Sequence, residues 1–150
     1  MKELKGNIWE SGADVICVTT NGIVKTDGNA VMGAGIAKQA AEFYPPLPKY
    51  LANCILKHGN HVFMFPLTSD VIANEPWIVT FPTKHDWRKD SFIELILQSC
   101  IELRTLANNH QWKRAALPRV GCGRGGLVWS DVRHEIKQYL SDDRFEIWER

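Results

Sequence analysis

The chain has 150 residues, 45% of them hydrophobic and 23% charged, with a formal net charge of +1. That is about one domain's length and an ordinary globular composition, which argues against a disordered chain and against a generally basic nucleic-acid-binding surface. No apolar run approaches the roughly 20 residues of a membrane span, and residues 1–6 lack the apolar core of a signal peptide, so one soluble, cytoplasmic domain over residues 1–150 with no membrane contact is expected.

In chain order, residues 13–19 form a nearly continuous β-branched run, the pattern of a strand buried on both faces. A loop follows and closes in a glycine-rich turn, Val31-Met32-Gly33-Ala34-Gly35-Ile36. Residues 35–43 then place Ile36, Ala37, Ala40 and Phe43 at helical spacing. Tyr44-Pro45-Pro46-Leu47-Pro48 must end that helix, because proline disfavours helical geometry just before it, and it reads as a loop within the domain. Two shorter strand patterns, residues 61–65 and 77–81, precede a helix over 92–106. Its stripe is Phe92, Leu95, Ile96, Leu103 and Leu106, with Ser91 as N-cap. Residues 114–118 read as a strand leading to a second glycine turn, Gly121-Cys122-Gly123-Arg124-Gly125-Gly126. Ser130 is placed to cap a last helix carrying Val132, Ile136 and Leu140, with Asp131 at its positive end. Residues 144–148 alternate as an edge or half-exposed strand does. This alternation of strands and helices predicts a layered α/β fold that takes its ligand where loops leave the carboxyl ends of strands.

Turns without Cβ atoms let backbone N–H groups approach an anion, and the helix that follows favours negative charge. Two such turns in one small domain point to a cleft that grips a phosphate-bearing ligand from both sides. Cys17, Cys54, Cys100 and Cys122 are far apart, and the five histidines show no ligand spacing. Neither a metal site nor a disulfide framework is expected, and no cofactor is called for.

The order Gly6-Asn7-Ile8, then residues 14–21, then Met32 to Ile36, then Gly121 to Gly126 resembles that of a macro domain, the module that binds ADP-ribose. Phe81-Pro82-Thr83-Lys84-His85-Asp86-Trp87-Arg88 and residues 116–129 are similar to the macro domains of the DarG antitoxins. That group removes ADP-ribose from DNA and is related to the terminal ADP-ribose protein glycohydrolases. The resemblance implies a three-layer α/β/α sandwich with a mixed central sheet. It makes Lys84 the matching catalytic residue, with Asn21 orienting the distal ribose. It implies ligand contacts from Asn7 and Ile8, from Met32, Gly33, Ala34, Gly35 and Ile36, from Pro118, Val120 and Gly121 to Gly126, and from Trp148. A lysine in a partly desolvated cleft loses part of its preference for the charged form and can act as nucleophile or base.

Three departures stand out. Asn7 replaces an aspartate that holds the adenine amino group, and Val18 replaces the first asparagine of a Val-Asn-x-x-Asn element. Gly125 stands where the protein glycohydrolases carry a catalytic aspartate, which speaks against a protein-linked substrate. Two alternatives therefore stay open beside hydrolysis of ADP-ribosyl-DNA. One is an ADP-ribose-1''-phosphate phosphatase. The other is a non-catalytic binder of ADP-ribose or another NAD-derived nucleotide.

Lesser candidates are Asp27 and Asp86 as acid or base, His85 as a neighbour that tunes the lysine, and Cys122, read as a small buried filler. Asn21 has a second reading, as a turn-capping asparagine. Arg119, Arg124, Lys113 and Arg114, together with Trp87-Arg88-Lys89, are candidates for DNA or RNA contact. Trp9 shares with Trp148 the reading of an aromatic against adenine. A monomer is expected.

Overall fold

The computed structural model describes residues 1–66 and 75–150. Strands β1 (Lys2–Lys5), β2 (Val15–Thr20), β3 (Phe63–Phe65), β4 (Trp77–Pro82), β5 (Ala115–Pro118) and β6 (Phe145–Glu149) form one sheet in the order β1-β6-β5-β2-β4-β3. Helices α1 (Gly35–Phe43), α2 (Leu47–His58), α3 (Ile93–His110) and α4 (Trp129–Ile136) connect them, and a 3-10 turn, Ile8–Glu10, follows β1. Neighbouring strands are parallel except β3, which pairs antiparallel with β4, so the sheet is mixed.

Period-2 alternation sorts the β-branched run of β2 into two cores. Val15 and Cys17 join Ile96, Cys100 and Leu103 of α3 and Val132 and Ile136 of α4. Ile16 and Val18 join Ala37 and Ala40 of α1 and Leu47 and Leu51 of α2. Each fully buried Ile, Leu or Phe contributes about 1.5–3 kcal/mol, and such side chains lie on both faces: Ile16, Ile78 and Leu51 on one, Phe81, Leu103 and Phe145 on the other. The chain adopts the expected three-layer α/β/α sandwich.

The structure corrects the sequence reading at several points. β6 is not an edge strand but lies between β1 and β5. Its Glu146, only 3% exposed, takes the face that alternation would give to solvent, because the Arg114 guanidinium meets it at 2.6 and 3.0 Å. The edge is β1, whose largely exposed residues carry too little apolar pattern to announce a strand. The proline-rich stretch does more than end α1. Pro46 is the N-cap of α2 and Pro48 sits in its first turn, where a missing N–H costs nothing. Phe92 is the N-cap of α3 and 48% exposed, so it leaves the buried stripe, which continues instead through Ser99, Cys100 and Ala107. Ser91 makes no capping bond, and Ser130 lies inside α4, whose N-cap is Val128.

Candidate functional site

Three loops leave the carboxyl ends of adjacent strands: residues 21–34 after β2, 83–92 after β4 and 119–128 after β5. The register sets Thr20 beside Pro82, so the first two depart side by side. Thr83 N–H donates to the Thr20 carbonyl at 3.0 Å, and Gly22 N–H to the His85 carbonyl at 3.1 Å. On the far side, Ser91 N–H donates to the Gly125 carbonyl at 2.8 Å. Segment 83–92 is therefore a bridge between the start of the β2 loop and the second glycine turn. Lys84 stands on it, half-buried, and its Nζ donates to the Arg124 carbonyl at 3.3 Å. Asn60, from the α2–β3 connection, donates its amide to the Lys84 carbonyl at 2.9 Å and comes within 3.2 Å of His85 Nδ1.

The glycines of the second turn divide into two tasks. A Cβ on Gly121 would lie 2.7 Å from Ile96 Cδ1, and one on Gly125 would overlap Ser91 Oγ and the Gly121 carbonyl. Those two positions are full, and no aspartate fits at 125. A Cβ on Gly123 would meet nothing within 4 Å, and the same holds for Gly33 and Gly35 in the first turn. Packed glycines build the turn, and open ones leave its backbone approachable. No side chain caps α1 at Ala34. The first N–H groups of that helix, which have no partner inside it, are thus offered outward with the positive end of its dipole.

Lys84 thus lies on a segment tied to the loop after β2 on one side and to the second glycine turn on the other. The macro domain family model matches residues 25–136. The chain belongs to the macro domain family. It is 27% identical over 150 residues to a DNA ADP-ribosyl glycohydrolase of Thermus aquaticus, covering 99% of this chain and 40% of that one. A relative of the same name from Mycobacterium bovis is 32% identical over 133 residues, covering 86% and 37%. The chain thus spans less than half the length of these curated relatives. Among solved structures, the macrodomain of Thermus aquaticus DarG matches with a TM-score of 0.80 at 25% identity, covering 98% of this chain and 95% of that one.

Within this macro domain, Asn21 serves its own loop. Its Nδ2 donates to the Val31 carbonyl and its Oδ1 accepts from Ile23 N–H, both at 3.0 Å, which leaves one N–H and one lone pair. Asn7 caps the 3-10 turn, its Oδ1 accepting from Trp9 N–H at 3.0 Å. Ile8 packs, as Ile36 does, against the α1–α2 layer. Trp148 lies against Gly6 and donates Nε1 to Glu146 at 3.1 Å. Asn7 and Trp148 therefore mark the β1–β6 side; Trp148 on β6 is three strand spacings from β4, or roughly 14 Å, and β1 is one spacing further. Trp9 is packed differently from Trp148: its Nε1 donates to Gln39 and its ring meets Phe43 edge-on at 4.9 Å. Met32 and Val120 are buried beneath the two turns, while Ala34 and Pro118 are half-buried.

Cys122 is half-buried and not the buried filler of the sequence reading; its Sγ donates to the Val120 carbonyl at 3.3 Å, and burial pushes the thiol up. Asp86 is gripped by Arg88 at 2.9 and 2.7 Å, which brings its carboxyl down to about 2 and removes it as a proton donor. Asp27 closes its own turn on Asn29 N–H and pairs with Lys25. The basic group near the second turn divides, because β5 separates its members. The N–H groups of Lys113 and Arg114 bind Asp14 at the amino end of the sheet, whereas Arg119, at the carboxyl end, pairs with Glu149 and lies over the Trp129 ring at 5.3 Å.

Sequence reasoning missed Asn60 and Ser91. Neither belongs to a motif; α2 delivers the first, and the start of α3 sets the second against Gly125. A surface hollow of about 630 Å³ beside the start of α4 is lined by Leu127, Val128 and Val132 together with Asp131 and Glu135. Its two carboxylates make it a poor place for a phosphate.

Proposed function

We propose that this macro domain binds ADP-ribose and releases it from DNA, with Lys84 carrying the chemistry. The observation that carries the reading is the position of the Lys84 amine, 3.3 Å from a carbonyl of the second glycine turn, on a segment hydrogen-bonded to the loops of both turns. The diphosphate lies between the open glycines, Gly33 and Gly35 on one side and Gly123 on the other. Adenine lies toward Asn7, Ile8 and Trp148, and the distal ribose toward Lys84. The remaining amide hydrogen and lone pair of Asn21 orient that ribose. The amine attacks its anomeric carbon, the bond to the base breaks, and the proton lost by nitrogen accompanies the leaving base. Water then cleaves the ribose–lysine adduct and restores the amine. Two relatives named DNA ADP-ribosyl glycohydrolases support this choice of linkage. So does Gly125, whose packing excludes the carboxylate that a protein-linked substrate would use.

Calorimetry with ADP-ribose tests binding, and an ADP-ribosylated oligonucleotide tests release. Lys84→Ala is expected to bind ADP-ribose within a few-fold of wild type and to lose about 10²-fold or more in release. Equal turnover by the variant removes Lys84 from the mechanism. Binding without any release by wild type leaves a binder.

A further inference from the structure

The bridge that carries Lys84 also carries features that ADP-ribose itself does not require. Trp87 is 51% exposed and Phe92 is 48% exposed, large values for aromatic rings in a domain with two well-filled cores. His85, also exposed, stands 6.0 Å from Phe92, ring centre to ring centre. Trp87 is held in a rigid turn: Asp86 accepts from Arg88 N–H at 2.9 Å and from its guanidinium twice, and that guanidinium lies 5.8 Å from the centre of the Trp87 ring. The bridge itself carries three cations, Lys84, Arg88 and Lys89, against the two carboxylates of Asp86 and Asp90. Segment 83–92 alone thus carries a formal excess of one positive charge.

The sheet order decides which part of a ligand meets this rim. Asn7 and Trp148 lie at the β1–β6 side, and the bridge leaves from β4, three or more strands away. The rim therefore borders the reactive end of the cleft, beyond the distal ribose, where whatever ADP-ribose is attached to must emerge. A base has two π-faces and its backbone a negative charge per phosphate, which suits exposed rings beside cations. A paired duplex keeps its bases stacked on one another, so the fitting partner is a single strand.

We propose that Trp87, backed by Arg88 and flanked by Phe92, is a stacking platform for a nucleotide adjacent to the ADP-ribosylated one in single-stranded DNA. This rests on the DNA-linked reading of the site and adds to it a second point of attachment outside the ADP-ribose cleft. Arg88 and Trp87 are here positioning residues; neither touches the bond that breaks.

The test compares two substrates: an ADP-ribosylated single-stranded oligodeoxynucleotide of about ten nucleotides, and the same ADP-ribosylated nucleoside without flanking nucleotides. Stacking of a base on an aromatic ring supports a loss of roughly 5- to 150-fold on removal of the ring. Trp87→Ala is expected to lower kcat/KM on the oligonucleotide by about tenfold, chiefly through KM, and to leave the nucleoside substrate and calorimetric ADP-ribose binding unchanged. Trp87→Phe is expected to recover most of the loss. Raising salt is expected to weaken the oligonucleotide reaction and not the nucleoside reaction. Equal rates for Trp87→Ala and wild type on the oligonucleotide, as a rim that docks a protein would give, overturn the proposal while leaving the site reading intact. An equal loss on both substrates also overturns it, since the ring would then serve the cleft itself. If wild type releases ADP-ribose from neither substrate, the DNA-linked reading fails and the platform fails with it.

Discussion

Gly123 and Gly125 are two residues apart and respond to a methyl group in opposite ways. At 125 the methyl meets Ser91 Oγ and the Gly121 carbonyl, so the turn or the start of α3 must move. Gly125→Ala is expected to cost about 1–3 kcal/mol of stability, read as a fall of several degrees in the thermal midpoint. At 123 the methyl meets nothing in the protein. Gly123→Ala is expected to melt with wild type but to bind ADP-ribose about tenfold more weakly, ~1.4 kcal/mol, because it fills space over the backbone that the diphosphate needs. Thermal melts and calorimetry on the pair separate fold from site. Loss of stability without loss of affinity at 123 would mean that the second turn does not face the ligand. The packing at 125 leaves no room for any side chain there.

At the scale of elements, β5, β6 and the chain after the 3-10 turn are tied by one buried carboxylate. Burial works to raise the Glu146 carboxyl, but the Arg114 guanidinium and the Trp148 indole outweigh it and hold the group below the ordinary glutamate range. Arg114 also donates to the Ser11 carbonyl at 2.8 Å. A carboxyl lowered in the folded state stabilises fully above its unfolded value and loses that contribution as pH falls through the folded one. The stability gap between wild type and Glu146→Gln, measured by denaturant unfolding, is therefore expected to be largest near neutrality and to close below about pH 4. Glu146→Ala, which strands both donors, is expected to cost about 2 kcal/mol at pH 7. That is less than for a fully buried pair, since the Arg114 side chain is 41% exposed. A gap that does not change with pH would show that Arg114 does not depend on the charge. This same tie marks what the sequence could show. β2, α1 and the two glycine turns were legible because their signals are local: a β-branched run, a 3.6-residue stripe, clustered glycines. β1, α2 and the interior place of β6 were not. β1 is made a strand by pairing with β6, α2 starts from prolines that read as breakers, and Glu146 looks solvated until Arg114 arrives from the residue just before β5. The site followed the same rule, with Lys84 visible in its motif and Asn60 invisible outside one.

The whole molecule has a built-in report on its own opening. Cys17 and Cys100 lie in one core, and burial pushes both thiols up, Cys100 to about 12. Cys54 and Cys122 are half-buried on opposite layers. In native protein, Cys54 and Cys122 are expected to react with a thiol reagent through local motion, Cys122 the slower, while Cys17 and Cys100 react only at the rate of global unfolding. Labelling followed by mass spectrometry checks this, and early reaction of Cys100 would mean that the α3 layer opens on its own. The Lys84 amine, finally, is held by a carbonyl of the main chain at 124 and not by any side chain. Every residue type carries that oxygen, so alanine scanning passes over it in silence. Whatever the Arg124 side chain does, this part of its role belongs to the path of the backbone, which helps aim the reactive nitrogen.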